Sequence, residues 1–304
     1  GFIHPSQTGG FSSLVPWSPW STMGLLLRVL LVSLPVILGI FLAPSPELIL
    51  GGDLGRLVVI ARGLGRIVTF MFGIPVTMVH PQFAVLQHVV ENMKKEPSTD
   101  PLKRTMELVD DYGWNHGWLM NIGDVKGQTV DNALHARLQD QSQPVKLVVE
   151  LGTFVGYGTL RLARQLNASN AEIITVDPDV MAYAVSSSLY EQAGVRDRIT
   201  MKTDFSYKVF KELKTQQKQI DFLFIDHVKH LYLSDLKLAL EMDLLAKNCV
   251  VVADNVLFPG APDYKEYMSS GEGSKLFETK IHRQHVEYWP SNPDEVAVST
   301  YLGR

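Results

Sequence analysis

Short apolar and β-branched runs alternate with amphipathic segments from residue 144 almost to the end of the chain. Each run has the length and composition of a buried strand. We predict strands at residues 145–150, 173–177, 199–202, 222–226 and 250–254. Strands that alternate with helices in this way are typical of a mainly parallel sheet with helices on both faces. The pattern therefore predicts an α/β domain.

The last two predicted strands have no helix between them. Residues 279–288 and 295–301 are rich in strand-forming residues, and residues 289–294 contain two prolines. These segments predict an antiparallel hairpin at the edge of the sheet, with residues 289–294 as its loop.

Upstream of the strands, apolar residues recur at helical spacing. We predict helices near residues 83–95, 101–112 and 124–138, separated by segments rich in turn-forming residues. We expect these helices to cap one domain that extends over residues 80–304.

The first 79 residues have a different character. Residues 23–44 are almost entirely apolar, with Arg28 as their only charge, which is close to the roughly 20 apolar residues that cross a bilayer. We predict a single-pass membrane anchor there. Residues 1–22 lack periodicity and predict a leader or disordered extension. Residues 45–79 contain arginines and several glycines, and predict an apolar linker at the membrane interface.

The apolar run also fits a cleaved signal peptide, although no clear cleavage site of small residues follows it. Arg56, Arg62 and Arg66 follow the run. Because positive residues favour the cytosolic side of a membrane, they predict a cytosolic C-terminal domain.

Composition narrows the class of function. The chain has 304 residues, 46% hydrophobic content and a net charge of −4. It can bury a large core, but it has no excess of basic residues for binding phosphates. We therefore predict no nucleic-acid partner. Cys249 is the only cysteine and lies in an apolar run, which predicts a buried thiol. The sequence does not indicate an oligomeric state.

A glycine-rich segment follows the first predicted strand, which ends at Glu150. Glycines at such a turn let the backbone approach a ligand, and acids at strand ends accept hydrogen bonds from it. The second strand ends at Asp177, where an acid commonly binds ribose hydroxyls. The segment lacks a Gly-Lys-Ser/Thr motif, and Glu150 would repel a pyrophosphate. S-adenosylmethionine, a sulfonium without phosphate, fits this acidic lining better.

Polar side chains also end two later strands. Asp226 follows an apolar run, and Asp254 and Asn255 follow the next one, while Lys229 lies three residues after Asp226. Since the carboxyl ends of parallel strands meet at one edge of a sheet, these side chains predict a single cleft. Their oxygens suit a hard metal ion, and the lysine suggests a base.

Several segments in this order resemble the catechol O-methyltransferase family, which belongs to the cation-dependent O-methyltransferases. The resemblance covers about residues 80–303. It rests on residues 117–127 (GWLMNIGDVKG), 150–152 (ELG), 226–229 (DHVK), 253–255 (ADN), 258–262 (FPGAP) and 286–288 (VEY). A membrane anchor ahead of the domain is also similar to the membrane-bound form of these enzymes.

The resemblance implies a Rossmann-like methyltransferase fold and a Mg²⁺-dependent methyl transfer from S-adenosylmethionine to a catechol hydroxyl. It implies that Asp226, Asp254 and Asn255 are metal ligands and that Lys229 is the general base. An all-oxygen ligand set suits Mg²⁺ and disfavours zinc. The substrate-binding residues that it implies are Asn255, Glu287, Trp118, Pro259 and Lys229.

The cofactor-binding candidates lie in the glycine loop and at positions that match the family. They are Met120, Ile122, Glu150, Gly152, Gly156, Tyr157, Gly158, Asp177, Ser206 and His227. The sequence departs from the family at four positions, with Val228 for an aromatic residue, Phe154 for tyrosine, Gly158 for serine and Tyr207 for glutamine. Because Val228 removes an aromatic wall, it puts ring preference and regioselectivity in question.

Three other functions stay open at this point. A cation-dependent enzyme acting on caffeoyl-type phenols would use a similar metal and lysine. A membrane partner protein on a methyltransferase fold would need neither, so the presence of Asp226, Asp254, Asn255 and Lys229 favours chemistry. A Rossmann dehydrogenase would need a Gly-x-Gly-x-x-Gly loop, which this chain lacks.

Overall fold

The computed structural model describes residues 81–140 and 143–303. Its sheet has seven strands in the order β3-β2-β1-β4-β5-β7-β6. The strands are β1 (Leu147–Leu151), β2 (Glu172–Val176), β3 (Ile199–Lys202), β4 (Ile220–Ile225), β5 (Leu245–Ala253), β6 (Phe277–Val286) and β7 (Trp289–Tyr301).

The strands β1 to β5 pair in parallel, and β7 pairs antiparallel with both β5 and β6. This arrangement confirms the predicted Rossmann-like, mainly parallel sheet with a C-terminal antiparallel hairpin. The main helices of the described residues are α1 (Pro81–Lys95), α2 (Pro101–Asn115), α3 (Gly123–Leu138), α4 (Tyr157–Gln165), α5 (Val180–Gln192), α6 (Ser206–Thr215), α7 (Tyr232–Glu241) and α8 (Pro262–Ser269).

Two apolar cores lie on the two faces of the sheet. Successive strand side chains point to opposite faces, so Val148 packs into one core and Val149 into the other. The first core includes side chains of α1 to α5, and the second includes side chains of α6, α7 and α8. Because both faces are covered, most residues of the central strands β1, β4 and β5 are buried and apolar, as their sequence pattern indicates.

The predicted hairpin loop at residues 289–294 is wrong. These residues belong to β7, and only Glu287 and Tyr288 separate the two strands. Proline cannot donate a backbone hydrogen bond, but β5 pairs only with residues 297–300 of β7. The proline-containing half of β7 therefore has a free edge, where proline is tolerated. The shorter turn brings Glu287 and the buried Asp294 toward the end of β5.

The predicted leader (1–22), membrane anchor (23–44) and interfacial linker (45–79) lie outside the described residues. Within the described ranges, no helix is both long enough and apolar enough to span a bilayer.

Candidate active site

The glycine loop after β1 contacts the segment that follows β4. Gly152 has a φ of +97°, and a Cβ atom there would lie 2.4 Å from the carbonyl oxygen of Asp226. Any other residue would be strained and would push the two segments apart. Gly156, with a φ of +85°, similarly leaves room for the ring of Tyr190. The loop is therefore held against the start of the Asp226–Lys229 segment.

Glu150 is buried at the end of β1. Its Oε2 atom accepts hydrogen bonds from the hydroxyls of Thr159 and Thr175, the latter at 2.6 Å. Burial raises the pKa of Glu150 to about 8, although the threonine hydroxyls oppose the rise. Gly158 packs beside this carboxyl, because a Cβ atom there would lie 2.4 Å from Glu150 Oε1. A serine would not fit here without movement of Glu150.

We expect Glu150→Gln to flatten the dependence of stability on pH. An unfolded chain releases the Glu150 proton near pH 4.5, whereas the folded protein holds it to about pH 8. Stability should therefore fall as pH rises through this window, by at most about 1.4 kcal/mol per pH unit. The measurement is the melting temperature between about pH 5 and pH 8. Glu241→Gln, at an exposed position, is the control and should show the pH dependence of the wild type. If the melting temperature of Glu150→Gln varies with pH as that of the wild type does, Glu150 does not have a raised pKa.

Asp177 holds the glycine loop from the end of β2. Its Oδ2 atom accepts the backbone N–H groups of Thr153 at 2.9 Å and Phe154 at 3.1 Å, and Oδ1 accepts that of Asp179 at 2.9 Å. Burial raises the pKa of Asp177, and these three N–H groups oppose the rise. A carboxylate offers about four lone-pair positions, so this group keeps capacity for a ligand hydroxyl.

The remaining cofactor candidates lie in different surroundings. Met120 is half exposed, and Ser206 is partly buried at the start of α6. Ile122 is buried, so only its backbone is available to a ligand. His227 stacks on the ring of Tyr232 and pairs through Nε2 with Asp235 at 2.8 Å.

The structure does not bring the Tyr157 side chain to the loop surface. Its ring is fully buried, and its hydroxyl donates to Asp110 over 2.7 Å. Because Arg161 also donates to this hydroxyl, the side chain belongs to an internal polar network. Only the backbone of Tyr157 faces the glycine loop.

Asp226 and Asp254 follow neighbouring parallel strands, since Ile225 pairs with Ala253. Asp254 is completely buried, and burial raises its pKa. Its Oδ2 atom accepts a hydrogen bond from Lys126 at 2.9 Å, whereas Oδ1 has no hydrogen-bond partner within the described residues. A buried carboxylate oxygen without a partner is costly, so this atom is free for a ligand.

Asn255 orients its side chain through two carboxylates. Its Nδ2 atom donates to Glu287 Oε1 at 2.9 Å and to Asp294 Oδ2 at 2.8 Å. Its backbone φ of +54° is in the left-handed region, which asparagine tolerates better than most residues. With the nitrogen engaged, Oδ1 is the atom of Asn255 that remains for a metal. The oxygens of Asp226, Asp254 and Asn255 therefore fit a hard divalent cation.

Lys126 was not identified as a site residue from the sequence. Its ammonium on α3 donates to Asp254, Glu287 and Asp294, at 2.9 Å for Asp254 and 2.8 Å for Asp294. All four side chains are at most 2% exposed. Burial alone would lower the pKa of Lys126, but the three carboxylates outweigh it and raise the pKa above its usual value. Lys126 is thus a permanent internal counter-ion.

Lys229 contacts one of the metal candidates, Asp226. Its Nζ atom donates to Asp226 Oδ1 at 2.9 Å and to the Tyr232 hydroxyl at 2.6 Å. The Tyr232 hydroxyl in turn donates to the carbonyl oxygen of Asp254 at 3.0 Å. The Lys229 side chain is 17% exposed, so it is oriented by these partners and still reaches solvent.

The remaining substrate candidates contact the same buried cluster. Trp118 is half exposed, and its indole N–H donates to the carbonyl oxygen of Glu287 at 2.8 Å. Pro259 is exposed, and the backbone N–H of the preceding Phe258 donates to Asp294 at 2.9 Å. The structure therefore joins Trp118, Glu287 and the loop of Pro259 to Asn255 at the end of β5.

Several known proteins are similar to this chain. A family model described as O-methyltransferase matches residues 119–270. Catechol O-methyltransferase from Bos taurus is 33% identical over 206 residues, 67% of this chain and 71% of that protein. Transmembrane O-methyltransferase from Homo sapiens is 33% identical over 201 residues, which cover 65% of this chain and 66% of that protein. A solved O-methyltransferase from Streptomyces achromogenes, in complex with SAM, has a TM-score of 0.54 at 17% identity, and covers 68% of this chain and 91% of its own.

Proposed function

The chain belongs to the O-methyltransferase family, and from this premise we propose that it transfers a methyl group from S-adenosylmethionine to one hydroxyl of a catechol, with Mg²⁺ as a cofactor. The observation that carries the proposal is the Oδ1 atom of buried Asp254, which has no hydrogen-bond partner among the described residues. Lys126 occupies the other oxygen of this carboxylate, and the Asp226–Lys229 pair follows the neighbouring strand. The arrangement provides a metal-binding oxygen and a lysine at one sheet edge.

The cofactor assignment is supported by the acids at the ends of β1 and β2. Glu150 and Asp177 end the two strands beside the glycine loop, and residues 152–158 of this loop include no lysine or arginine to bind phosphates. A sulfonium cofactor without phosphates needs no such positive charge. The likeness to a structure that contains SAM points to the same cofactor.

Asp226, Asp254 and Asn255 are the residues that would hold Mg²⁺, and the bound ion would lower the pKa of a phenolic hydroxyl from about 10 toward neutrality. The Lys229 amine would accept the hydroxyl proton. Because its side chain is partly exposed, the proton could then pass to solvent. Tyr232 would keep the amine beside Asp226. Glu287 would bind the second hydroxyl, and Trp118 and Pro259 would flank the ring.

The methyl transfer then merges a sulfonium cation and a phenolate anion into neutral products. Its transition state has less charge than its reactants, so a site that excludes water favours it. The buried cluster around Asp254 gives this edge of the sheet such surroundings. Tight positioning by Asn255 and Glu287 would supply much of the remaining rate enhancement.

The test is methyl transfer by the full chain to a simple catechol, with Mg²⁺ or with a chelator. We expect turnover only with Mg²⁺, and we expect a phenol with one hydroxyl to be a poor substrate, because it cannot occupy both oxygen positions. Mono- and dimethylated products are measured by chromatography. A caffeoyl ester is the comparison substrate, and a preference for it would replace the catechol proposal by the caffeoyl-type alternative.

The absence of turnover on both substrates, with S-adenosylmethionine bound, would favour a non-catalytic membrane partner on the same fold.

We further propose that the apolar residues 23–44 anchor the chain in a membrane, with the methyltransferase domain in the cytosol. The length of the apolar run supports this proposal, and so does the similarity to a relative named transmembrane O-methyltransferase.

A further inference from the structure

Three metal-ligating side chains converge at the contact between α1 and the end of α2, apart from the cluster around Asp254. His88 projects from α1, Asp111 lies in the last turn of α2, and His116 follows that helix directly. One ligand atom from each lies within 4.8 Å of the others. We propose that His88, Asp111 and His116 form a site for a divalent transition-metal ion of the zinc class.

The spacing of the ligand atoms supports this site. Asp111 Oδ2 lies 2.8 Å from His88 Nε2 and 3.5 Å from His116 Nε2. Ligands about 2.0–2.2 Å from a tetrahedral zinc ion are roughly 3.3 Å apart, so these atoms need only small shifts. The two imidazole rings are also close, with centroids 4.6 Å apart and a tilt of 47°.

The orientation of His88 adds a separate observation. Its buried Nε2 atom lies 2.8 Å from Asp111 Oδ2, so an imidazole nitrogen and a carboxylate oxygen already meet at this contact. A metal ion bound beside both atoms would replace this direct contact and keep Nε2 satisfied on burial.

A hydrogen bond from a neighbouring side chain prepares the carboxylate. Asn115 Nδ2 donates to Asp111 Oδ1 at 2.8 Å, which leaves Oδ2 directed toward the histidines. An outer partner that fixes a ligand in this way is typical of metal sites in proteins.

Two imidazoles and one carboxylate select zinc, cobalt, nickel or copper over magnesium and calcium. The site is therefore chemically distinct from the oxygen-lined site at Asp226 and Asp254. Since the half-exposed His116 and Asp111 reach the surface, an ion can enter from solution. His116 precedes Trp118 by two residues, so a bound ion would also fix the chain that leads to a proposed substrate wall.

The test is calorimetric titration of the full chain with ZnCl₂ in excess MgCl₂, which occupies the oxygen-lined site. We expect one zinc equivalent per chain, and at least about 10-fold weaker binding in His116→Ala and Asp111→Asn. Zinc should raise the melting temperature of the wild type but not of these variants. His135→Ala, an exposed histidine on α3, is the matched control and should bind zinc as the wild type does.

His116 is half exposed, so His116→Ala is expected to fold normally, and its metal-free melting temperature checks this. Zinc binding that is unchanged in both His116→Ala and Asp111→Asn would place the ion elsewhere and overturn the proposal. A wild-type chain that binds no zinc would also overturn it. Neither result would bear on methyl transfer, which is assayed without zinc.

Discussion

Replacing Lys229 by alanine is expected to lower methyl transfer by about 10²- to 10⁴-fold, the range over which a general base contributes. The lysine amine lies against Asp226 and the Tyr232 hydroxyl, where it can receive a proton from a hydroxyl bound at the ends of β4 and β5. Because the glycine loop is organised by Glu150 and Asp177, the affinity for S-adenosylmethionine should change by less than about threefold. Single-turnover kinetics and cofactor titration measure the two effects separately.

The variant Lys229→Arg tests whether Lys229 acts as a base or only through its positive charge. Arginine can keep the ion pair with Asp226, but it does not give up its proton in proteins and cannot serve as a base. We therefore expect Lys229→Arg to be nearly as inactive as Lys229→Ala. Lys237→Ala, an exposed lysine on α7, is the control and should retain wild-type rates. If Lys229→Arg retains turnover, Lys229 acts through its charge and another group takes the proton.

The strands and their order of appearance follow from the sequence because each parallel strand is a short run rich in apolar and β-branched residues. The same pattern indicates where Asp226, Asp254 and Asn255 lie, since polar residues that end parallel strands share one edge of the sheet. These predictions need only local periodicity and the rules of α/β topology. They were accordingly correct to within a few residues at most strand ends.

The parts that were missed depend on contacts between distant segments. A lysine on a helix is usually exposed, and Lys126 is buried only because Asp254, Glu287 and Asp294 come from segments more than 120 residues away. The glycines at 123 and 127 beside it are the one local signal, because they mark a helix face in close contact with other segments. The prolines at 290 and 293 concealed the first half of β7, and with it the burial of Asp294.

The His88, Asp111 and His116 cluster illustrates the same limit. Its residues occupy two helices and the connection after them, without the short spacing that identifies many metal sites in a sequence. Only the packing of α1 against α2 brings the two histidines to the same carboxylate. Sequence patterns thus locate sites that lie at strand ends better than sites that arise where helices pack.

Replacing Lys126 by methionine is expected to destabilise the domain by about 3–5 kcal/mol, the cost of leaving a buried ion pair without one partner. Methionine keeps the length of the side chain but leaves Asp254, Glu287 and Asp294 without their shared cation. The melting temperature should fall on the order of 10 °C for a domain of this size. Lys95→Met, at the exposed end of α1, is the control and should change little.

The charge of the cluster, rather than its packing, should account for most of this loss. Lys126→Met combined with Asp294→Asn removes one negative charge together with the cation, so we expect it to be more stable than Lys126→Met alone. The oxygens of Asp254, Glu287 and Asp294 lie within 4.8 Å of one another, so Mg²⁺ can replace the missing ammonium. Mg²⁺ should accordingly raise the melting temperature of Lys126→Met more than that of the wild type. A variant that melts at the wild-type temperature in the absence of Mg²⁺ would show that the three carboxylates do not require Lys126.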